Sequence, residues 1–208
     1  MRTGTEYIES LRDGRDVWVM GEGPVDDVTT HPATSAMVLE YAKWYDRHSD
    51  PVWEDCLLTN LSDSAERRPL AFEVPTASAE LQLQGKAIRA VLSASGGNIT
   101  HTPGYGALIA LGLLNHLIGL DKSSLEIAAA REYRESIALT GRFLTFAGGG
   151  PLIGTRLRQD PAERAAMRLV SETDQGIVVS GKVQMHTSTP FAEDVLITSR
   201  DELPPGSG

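Results

Sequence analysis

The most apolar stretch of this 208-residue chain reads PGYGALIALGLLNHLI and covers residues 103–118. Its leucines recur at helical spacing, which predicts a helix that follows Pro103 and lies at the centre of a helical core. These leucines are Leu108, Leu111, Leu114 and Leu117. The apolar run 107–120 includes Asn115 and His116, so it is too short and too polar to cross a bilayer.

Helical patterns lie on both sides of this stretch, and most strand patterns follow it. Predicted helices start near Thr3, Pro32, Ser78 and Ser123, where Ser123 and Glu126 form a capping-box pattern. A small hairpin is predicted at 17–24, and strands are predicted at 167–172, 177–180, 183–187 and 194–198. The sequence therefore predicts an α+β fold, with a helical domain over residues 1–150 and a partial β domain over residues 151–208.

Two of the predicted helices have an apolar face that we expect to be buried. The first face carries Met37, Tyr41, Trp44, Tyr45 and His48. The second face carries Leu81, Ile88 and Leu92.

Composition and charge exclude several classes of function. The chain is 41% hydrophobic and 23% charged, as soluble globular proteins are, and its net charge is −9. A broad nucleic-acid-binding face or an anionic membrane surface would need clustered cations, so neither is expected as a partner. Cys56 is the single cysteine, which excludes a disulfide framework and cysteine-ligated zinc or iron–sulfur sites. The first twenty residues lack an apolar core, so we expect a cytoplasmic protein.

The glycines and histidines give one candidate site. Gly148–Gly150 with Gly154 miss the spacing of a dinucleotide-binding loop, and the segment 147–154 is expected to be a connecting loop. The five histidines lack the spacing of a helical metal site, so no metal is expected, and His116 is expected to be a hydrogen-bonded core residue. His101 and Tyr105 stand four residues apart at a helix start, where both can face one cavity.

Three longer runs appear in the order that one family shows. They are TGTEYIESLRDGR at 3–15, DVTTHP at 27–32 and VSETDQGIVVSG at 170–181, with the last continuing through 190–195. The chain thereby resembles, over essentially its whole length, the flavin-dependent phenol hydroxylases typified by the 4-hydroxyphenylacetate 3-monooxygenase large component. The resemblance implies an acyl-CoA-dehydrogenase-like fold, in which a helical domain precedes an antiparallel β-barrel domain and a C-terminal helical bundle. It also implies chemistry in which reduced FAD, supplied by a separate reductase, reacts with oxygen and hydroxylates a phenol.

The chain departs from the family pattern at two chemical positions. The family usually has Arg-x-Pro-Asp-Tyr before the central helix, and this chain has His101-Thr-Pro-Gly-Tyr105. The family usually has Leu-Thr-His after the next helix, and this chain ends that motif in Phe146, which cannot hold a proton. The resemblance thus implies a less polar cavity, with His101 and Tyr105 as catalytic groups. The expected substrate-binding residues are Phe146, Met185, Thr187 and Pro190.

Length is the third departure, since family members are roughly twice as long. We therefore expect a curtailed β domain, no C-terminal helical domain and only part of the FAD site. Three functions stay open: a repurposed small enzyme that rearranges or cyclises a hydrophobic or aromatic substrate, with or without flavin; one piece of a split or homo-oligomeric monooxygenase completed by a partner chain; and a non-catalytic ligand-binding or scaffold protein.

Overall fold

The computed structural model describes residues 1–59, 67–97, 102–120, 125–148, 167–181 and 187–198. The chain forms two units by its internal contacts. The first unit is Met1–Thr145 with Ser188–Asp194, and the second is Phe146–Thr187 with Val195–Gly208. Because such units are not by themselves domains, the predicted bounds 1–150 and 151–208 stay a prediction.

The described residues confirm the α+β class, and the four longer strands follow the last helix. The helices are α1 (Gly4–Ser10), α2 (Ser35–Asp46), α3 (Glu54–Leu57), α4 (Ser78–Ala94), α5 (Pro103–Leu120) and α6 (Leu125–Thr140). The strands are β1 (Val17–Val19), β2 (Gly23–Val25), β3 (Leu58–Thr59), β4 (Arg68–Pro69), β5 (Leu144–Gly148), β6 (Met167–Thr173), β7 (Gly176–Gly181) and β8 (Asp194–Thr198). Short 3₁₀ turns occupy Arg47–Ser49, Leu70–Phe72 and Thr189–Phe191. Every sheet among the described residues has two strands, so these residues do not close a barrel.

The N-terminal helix and the first hairpin confirm their predictions. The Thr3 hydroxyl accepts a hydrogen bond from the Glu6 N–H, and the Glu6 carboxylate accepts one from the Thr3 N–H, which completes a capping box. Strands β1 and β2 pair antiparallel with Val17 opposite Val25. Gly21 takes a φ of +86° in the connecting turn, a conformation that favours glycine.

Helix α2 buries the predicted aromatic face, although it begins at Ser35 and not at Pro32. The rings of Tyr7 and Tyr45 stack with their centroids 4.9 Å apart, and the Tyr41 ring meets Phe143 edge-on at 4.9 Å. These rings form the aromatic centre of the first unit, where each is at most 2% exposed.

The face predicted for α4 is correct in part. Leu81 is 60% exposed, but Ile88 and Leu92 are half-buried and line a cavity. The fully buried positions of the helix are Gln84, Ala87 and Val91. The Gln84 amide nitrogen donates to the backbone carbonyls of Leu70 and Glu73 at 2.8 and 2.6 Å. These two bonds hold Gln84 toward the core, so a buried polar residue sets the rotation of the helix. The helix ends as expected, since Gly96 and Gly97 both have positive φ.

Helix α5 occupies the core as predicted, with Ala107 and Ala110 fully buried. At Gly106 an added Cβ would lie 1.8 Å from the Leu144 carbonyl oxygen, so glycine permits the close approach of β5. The prediction of a core His116 is wrong, because this residue lies on the exposed side of α5. None of the described helices is long and apolar enough to span a membrane.

The predicted start of the 147–154 loop is wrong, because residues 144–148 form β5, which pairs with β8. The partner strand lies some 50 residues later, so local sequence does not reveal the pairing. The hairpin of β6 and β7 is confirmed, with a bulge between Leu169 and Ser171. Strand β8 is confirmed as well. The predicted Ser123 cap and most of the strand predicted at 183–187 lie outside the described residues.

Candidate functional site

An apolar cavity lies between α2, α4 and the start of α5 in the first unit. It measures about 30 Å³ and is open on one side. Its walls are formed by Trp44, His48, Leu57, Ala71, Gln84, Ala87, Ile88, Val91, Leu92, Thr102, Gly104, Tyr105 and Leu108. A site of at least about 10–15 Å³ can hold one water, so the enclosed part admits a small polar group and not a whole aromatic ring.

His48 is a neutral acceptor in the wall of this cavity. The ring is 4% exposed, and its Nδ1 lies 2.9 Å from the Trp44 carbonyl oxygen. A carbonyl can only accept, so Nδ1 carries the proton and Nε2 keeps its lone pair. Burial lowers the pKa of His48 to about 4, so the ring is uncharged at neutral pH. Nε2 has no hydrogen-bond partner in the described part of the chain.

Gln84 presents a second acceptor to the same cavity. Its nitrogen is committed to two backbone carbonyls, so its Oε1 is the atom left to accept a hydrogen bond. This oxygen also has no partner within the described ranges, and Gln84 is 3% exposed. Besides the hydroxyl-bearing residues Thr102 and Tyr105, the cavity wall therefore offers two acceptors on an apolar background.

Tyr105 lies at the open side of the cavity. It belongs to the first turn of α5, where its N–H donates to the Thr102 hydroxyl at 3.3 Å, and its side chain is 36% exposed. The structure thus places the predicted catalytic tyrosine on the wall of a cavity. Its predicted partner His101 lies outside the described residues.

The predicted substrate-binding residues that the structure describes are not among the residues that line this cavity. Pro190 lies in the 3₁₀ turn that packs on the first unit, where its carbonyl accepts from Arg15 Nη1 at 2.8 Å. Phe146 and Thr187 belong to the second unit, and Met185 lies outside the described residues. Sequence reasoning placed His48 on a buried helix face and did not assign Gln84. The one signal for His48 was the Trp44-x-x-x-His48 spacing, which lets a histidine reach the carbonyl four residues back.

A clasp, formed by Ser188–Asp194 against α1, α2 and Phe143, holds the first unit together. Glu193 accepts from Arg2 Nη1 at 2.9 Å and from the Phe143 N–H at 3.0 Å. Burial by itself would raise the pKa of Glu193, but these bonds outweigh it and hold the pKa below its ordinary value. The Tyr41 hydroxyl pairs with Ser188 Oγ at 2.7 Å, and Ser188 has a φ of +72°. Pro190 belongs to this clasp, where its carbonyl accepts the hydrogen bond from Arg15.

Comparison with known proteins gives the chain a family. The model of the 4-hydroxyphenylacetate 3-hydroxylase N-terminal family matches residues 3–206. The chain belongs to this family.

Two curated relatives of this 4-hydroxyphenylacetate 3-hydroxylase family member are oxygenase components. It is 32% identical over 95% of its length to the 4-nitrophenol 4-monooxygenase/4-nitrocatechol 2-monooxygenase oxygenase component of Rhodococcus opacus, of which it covers 39%. It is 33% identical over 90% of its length to the 4-hydroxyphenylacetate 3-monooxygenase oxygenase component of Escherichia coli, of which it covers 35%. The chain thus spans well under half of these relatives.

Solved structures of the family share the fold. A crystal structure of the oxygenase component of 4-hydroxyphenylacetate 3-monooxygenase, complexed with FAD, matches the whole chain with a TM-score of 0.80 at 27% identity and is covered to 42%. An archaeal 4-hydroxybutyryl-CoA dehydratase matches 98% of the chain with a TM-score of 0.78 at 22% identity, which shows a common fold alone. The chain therefore shares the fold of the oxygenase component over its whole length.

The two larger grooves described for this family member are poorly suited to FAD. A pocket for a ligand of that size measures about 300–1,000 Å³ and would need cations facing its pyrophosphate. One described groove, of about 430 Å³, contains Arg68 and Arg134, but Glu135 lies within 4 Å of both. Another, of about 240 Å³, contains Arg12 and Arg15, which pair with Asp27 and Asp13. A group of three metal-ligating side chains is absent from the described residues.

Proposed function

We propose that this chain is a repurposed enzyme of the 4-hydroxyphenylacetate 3-hydroxylase family that binds a small hydrophobic or aromatic molecule beside Tyr105 and rearranges or cyclises it. The observation that carries the proposal is the apolar cavity at the start of α5, which opens next to this tyrosine. Family membership supports an aromatic ligand, because the relatives bear the names of monooxygenases that act on 4-nitrophenol and 4-hydroxyphenylacetate.

The residues of the cavity suit proton chemistry without a permanent charge. A rearrangement or cyclisation is balanced when a group donates a proton at one atom and takes back a proton at another, with no oxidant consumed. A phenol hydroxyl such as that of Tyr105 can do this or can stabilise a developing oxyanion by a hydrogen bond. Phe146 in place of the family's histidine also favours chemistry other than phenol hydroxylation, since it removes a group that could help ionise a phenol.

Ligand titrations with the purified chain test this proposal. We expect calorimetry to detect binding of 4-hydroxyphenylacetate or 4-nitrophenol and anaerobic titration to detect no tight binding of reduced FAD. Tyr105→Phe should weaken binding, whereas Trp18→Phe on the exposed first hairpin should leave it unchanged. Tight binding of reduced FAD would overturn the proposal in favour of a retained oxygenase. Absence of any aromatic binding would overturn it in favour of a scaffold.

One observation favours a second function, in which a partner chain or another copy completes a monooxygenase. Every residue of β7 is exposed, and five apolar side chains of the hairpin that it forms with β6 are exposed as well. These exposed side chains are Leu169, Val170, Ile177, Val178 and Val179. A two-stranded hairpin with apolar residues exposed on both faces is marginal in water, and covering it would stabilise it.

Sedimentation velocity tests this second function. We expect a concentration-dependent assembly larger than a monomer, and Ile177→Lys with Val179→Lys should shift it toward monomer. The matched control is the double variant Leu139→Lys with Val52→Lys, which alters two exposed residues on other elements of the chain. A monomer at all concentrations, with no binding to a separately expressed C-terminal portion of a family oxygenase, would exclude completion by a partner.

A further inference from the structure

We infer that the inner end of the cavity is a hydrogen-bond-acceptor site, formed by His48 Nε2 and Gln84 Oε1, that selects ligands carrying a neutral hydroxyl. The inference rests on the proposed function for the identity of the ligand's apolar part. It assigns His48 and Gln84 the role of recognising the hydroxyl, in a chain where the family's usual histidine is replaced by Phe146.

The tautomer of His48 makes Nε2 a hydrogen-bond acceptor. The Trp44 carbonyl accepts the Nδ1 proton at 2.9 Å, which turns the Nε2 lone pair away from the backbone of α2. The Trp44 ring packs against the imidazole with 4.4 Å between centroids and keeps the ring in place. A ring held in this way offers its acceptor at a fixed position, with little entropy left to lose on binding.

The orientation of the Gln84 amide leaves its oxygen as a second acceptor. Its two hydrogen bonds to the Leu70 and Glu73 carbonyls fix which end of the amide carries the nitrogen, because a carbonyl cannot donate. Gln84 Oε1 and His48 Nε2 thus remain as two acceptors among mainly apolar walls.

The chemistry of the ligand follows from these acceptors. A neutral O–H satisfies a buried acceptor, whereas a phenolate or a methyl ether brings no hydrogen and leaves the acceptor unpaired. The cavity of about 30 Å³ admits the hydroxyl end, so the apolar body of the ligand lies at the open side against Tyr105 and Leu108. A water molecule would fill the same position when no ligand is bound.

The test uses 4-nitrophenol and its methyl ether 4-nitroanisole, in which a methyl group replaces the hydroxyl hydrogen. Because the methyl group is also larger, the comparison is repeated in the His48 variants described below. We expect about tenfold tighter binding of neutral 4-nitrophenol than of 4-nitroanisole, from one to two hydrogen bonds. At neutral pH 4-nitrophenol is a mixture of phenol and coloured phenolate, so binding of the neutral form should reduce the phenolate absorbance. An increase in phenolate absorbance on binding would overturn the inference without any variant.

Variants locate the effect. His48→Phe should remove the preference for the hydroxyl, and His48→Gln, which restores an acceptor at the same depth, should recover part of it. His116→Gln on the exposed side of α5 is the matched control. An unchanged preference in a folded His48→Phe protein would overturn the inference. Tyr105→Phe separates the two proposals: loss of turnover and of overall affinity concerns the proposed function, and the ratio between the two ligands concerns His48.

Discussion

Mild acid should destabilise the first unit through the protonation of one buried histidine. The pKa of His48 is lowered from 6.5 to about 4 by burial, with smaller repulsions from the N-terminal ammonium and Arg47. In the unfolded chain the imidazole takes up a proton near pH 6.5, so between pH 6.5 and 4 the unfolded state binds more protons than the folded state. Stability therefore falls as pH falls through this window.

The size of the effect follows from the two pKa values. Between pH 7 and pH 5 the differential protonation of a group with pKa 6.5 unfolded and about 4 folded amounts to about 2 kcal/mol. His48 is only 4% exposed, so solvent screening does not reduce this figure much. Carboxylates with lowered folded pKa, such as Glu193, lose their contribution at more acidic pH, below the ordinary range of glutamate. The window from pH 7 to 5 thus isolates the histidine.

Urea unfolding at pH 7 and pH 5, followed by tryptophan fluorescence, measures the change. All three tryptophans lie in the first unit, and Trp44 contacts the His48 ring. We expect the unaltered chain to lose about 2 kcal/mol between the two pH values. His48→Gln should lose much less, and His116→Gln, altered at an exposed site, should lose as much as the unaltered chain. Equal losses in the unaltered chain and in His48→Gln would refute the assignment of a buried neutral His48.

Three further substitutions, two of them with a control, test packing and capping. Glu193→Gln removes the charge that pairs with Arg2 and should cost about 2 kcal/mol in urea unfolding, whereas Glu9→Gln, in an exposed ion pair, should cost almost nothing. Gly106→Ala should cost about 3 kcal/mol or more, because its Cβ would meet a backbone carbonyl. Gly112→Ala on the same helix meets nothing within 4 Å and should raise stability by about 0.5–1 kcal/mol. Thr3→Ala removes the first helix cap and should cost about 1 kcal/mol, measured by thermal unfolding.

The elements that sequence predicts well are those whose cause is local. The Thr3 capping box and the β1–β2 turn each need only residues within about three positions of one another. The aromatic face of α2 needs only helical periodicity. In each case the side chains that specify the element are neighbours in the chain, so a pattern in one sequence contains the whole explanation.

The elements that sequence reasoning missed depend on distant partners. Strand β5 forms because β8 pairs with it. Just before β5, the Phe143 carbonyl accepts hydrogen bonds from the N–H groups of Glu193 and Asp194 at 2.9 and 3.1 Å. The rotation of α4 depends on Gln84 reaching carbonyls 14 and 11 residues earlier. His48 was predicted to be buried but not to line a cavity, because its role depends on α4 and α5, which lie across from it.

The first two runs that show the family resemblance, with the 190–195 continuation of the third, build the clasp and the turn before α2. In the first run the Tyr7 hydroxyl donates to the Phe191 carbonyl at 3.0 Å, and Arg15 donates to the carbonyls of Pro190 and Ala192. In the second run the Asp27 carboxylate accepts the Thr29 N–H at 2.7 Å and so shapes the turn before α2. These contacts hold the frame of the first unit and touch none of the cavity-lining residues.

Family membership could therefore be read from the sequence while the ligand could not. The runs shared with the family specify how the clasp packs on the N-terminal helices, and that packing is compatible with many cavities. The acceptors His48 and Gln84 and the cavity-lining Tyr105 all lie outside the three runs. A change of ligand can thus occur at these positions without disturbing the clasp, which is why His48→Phe should change ligand preference while Glu193→Gln should change stability alone.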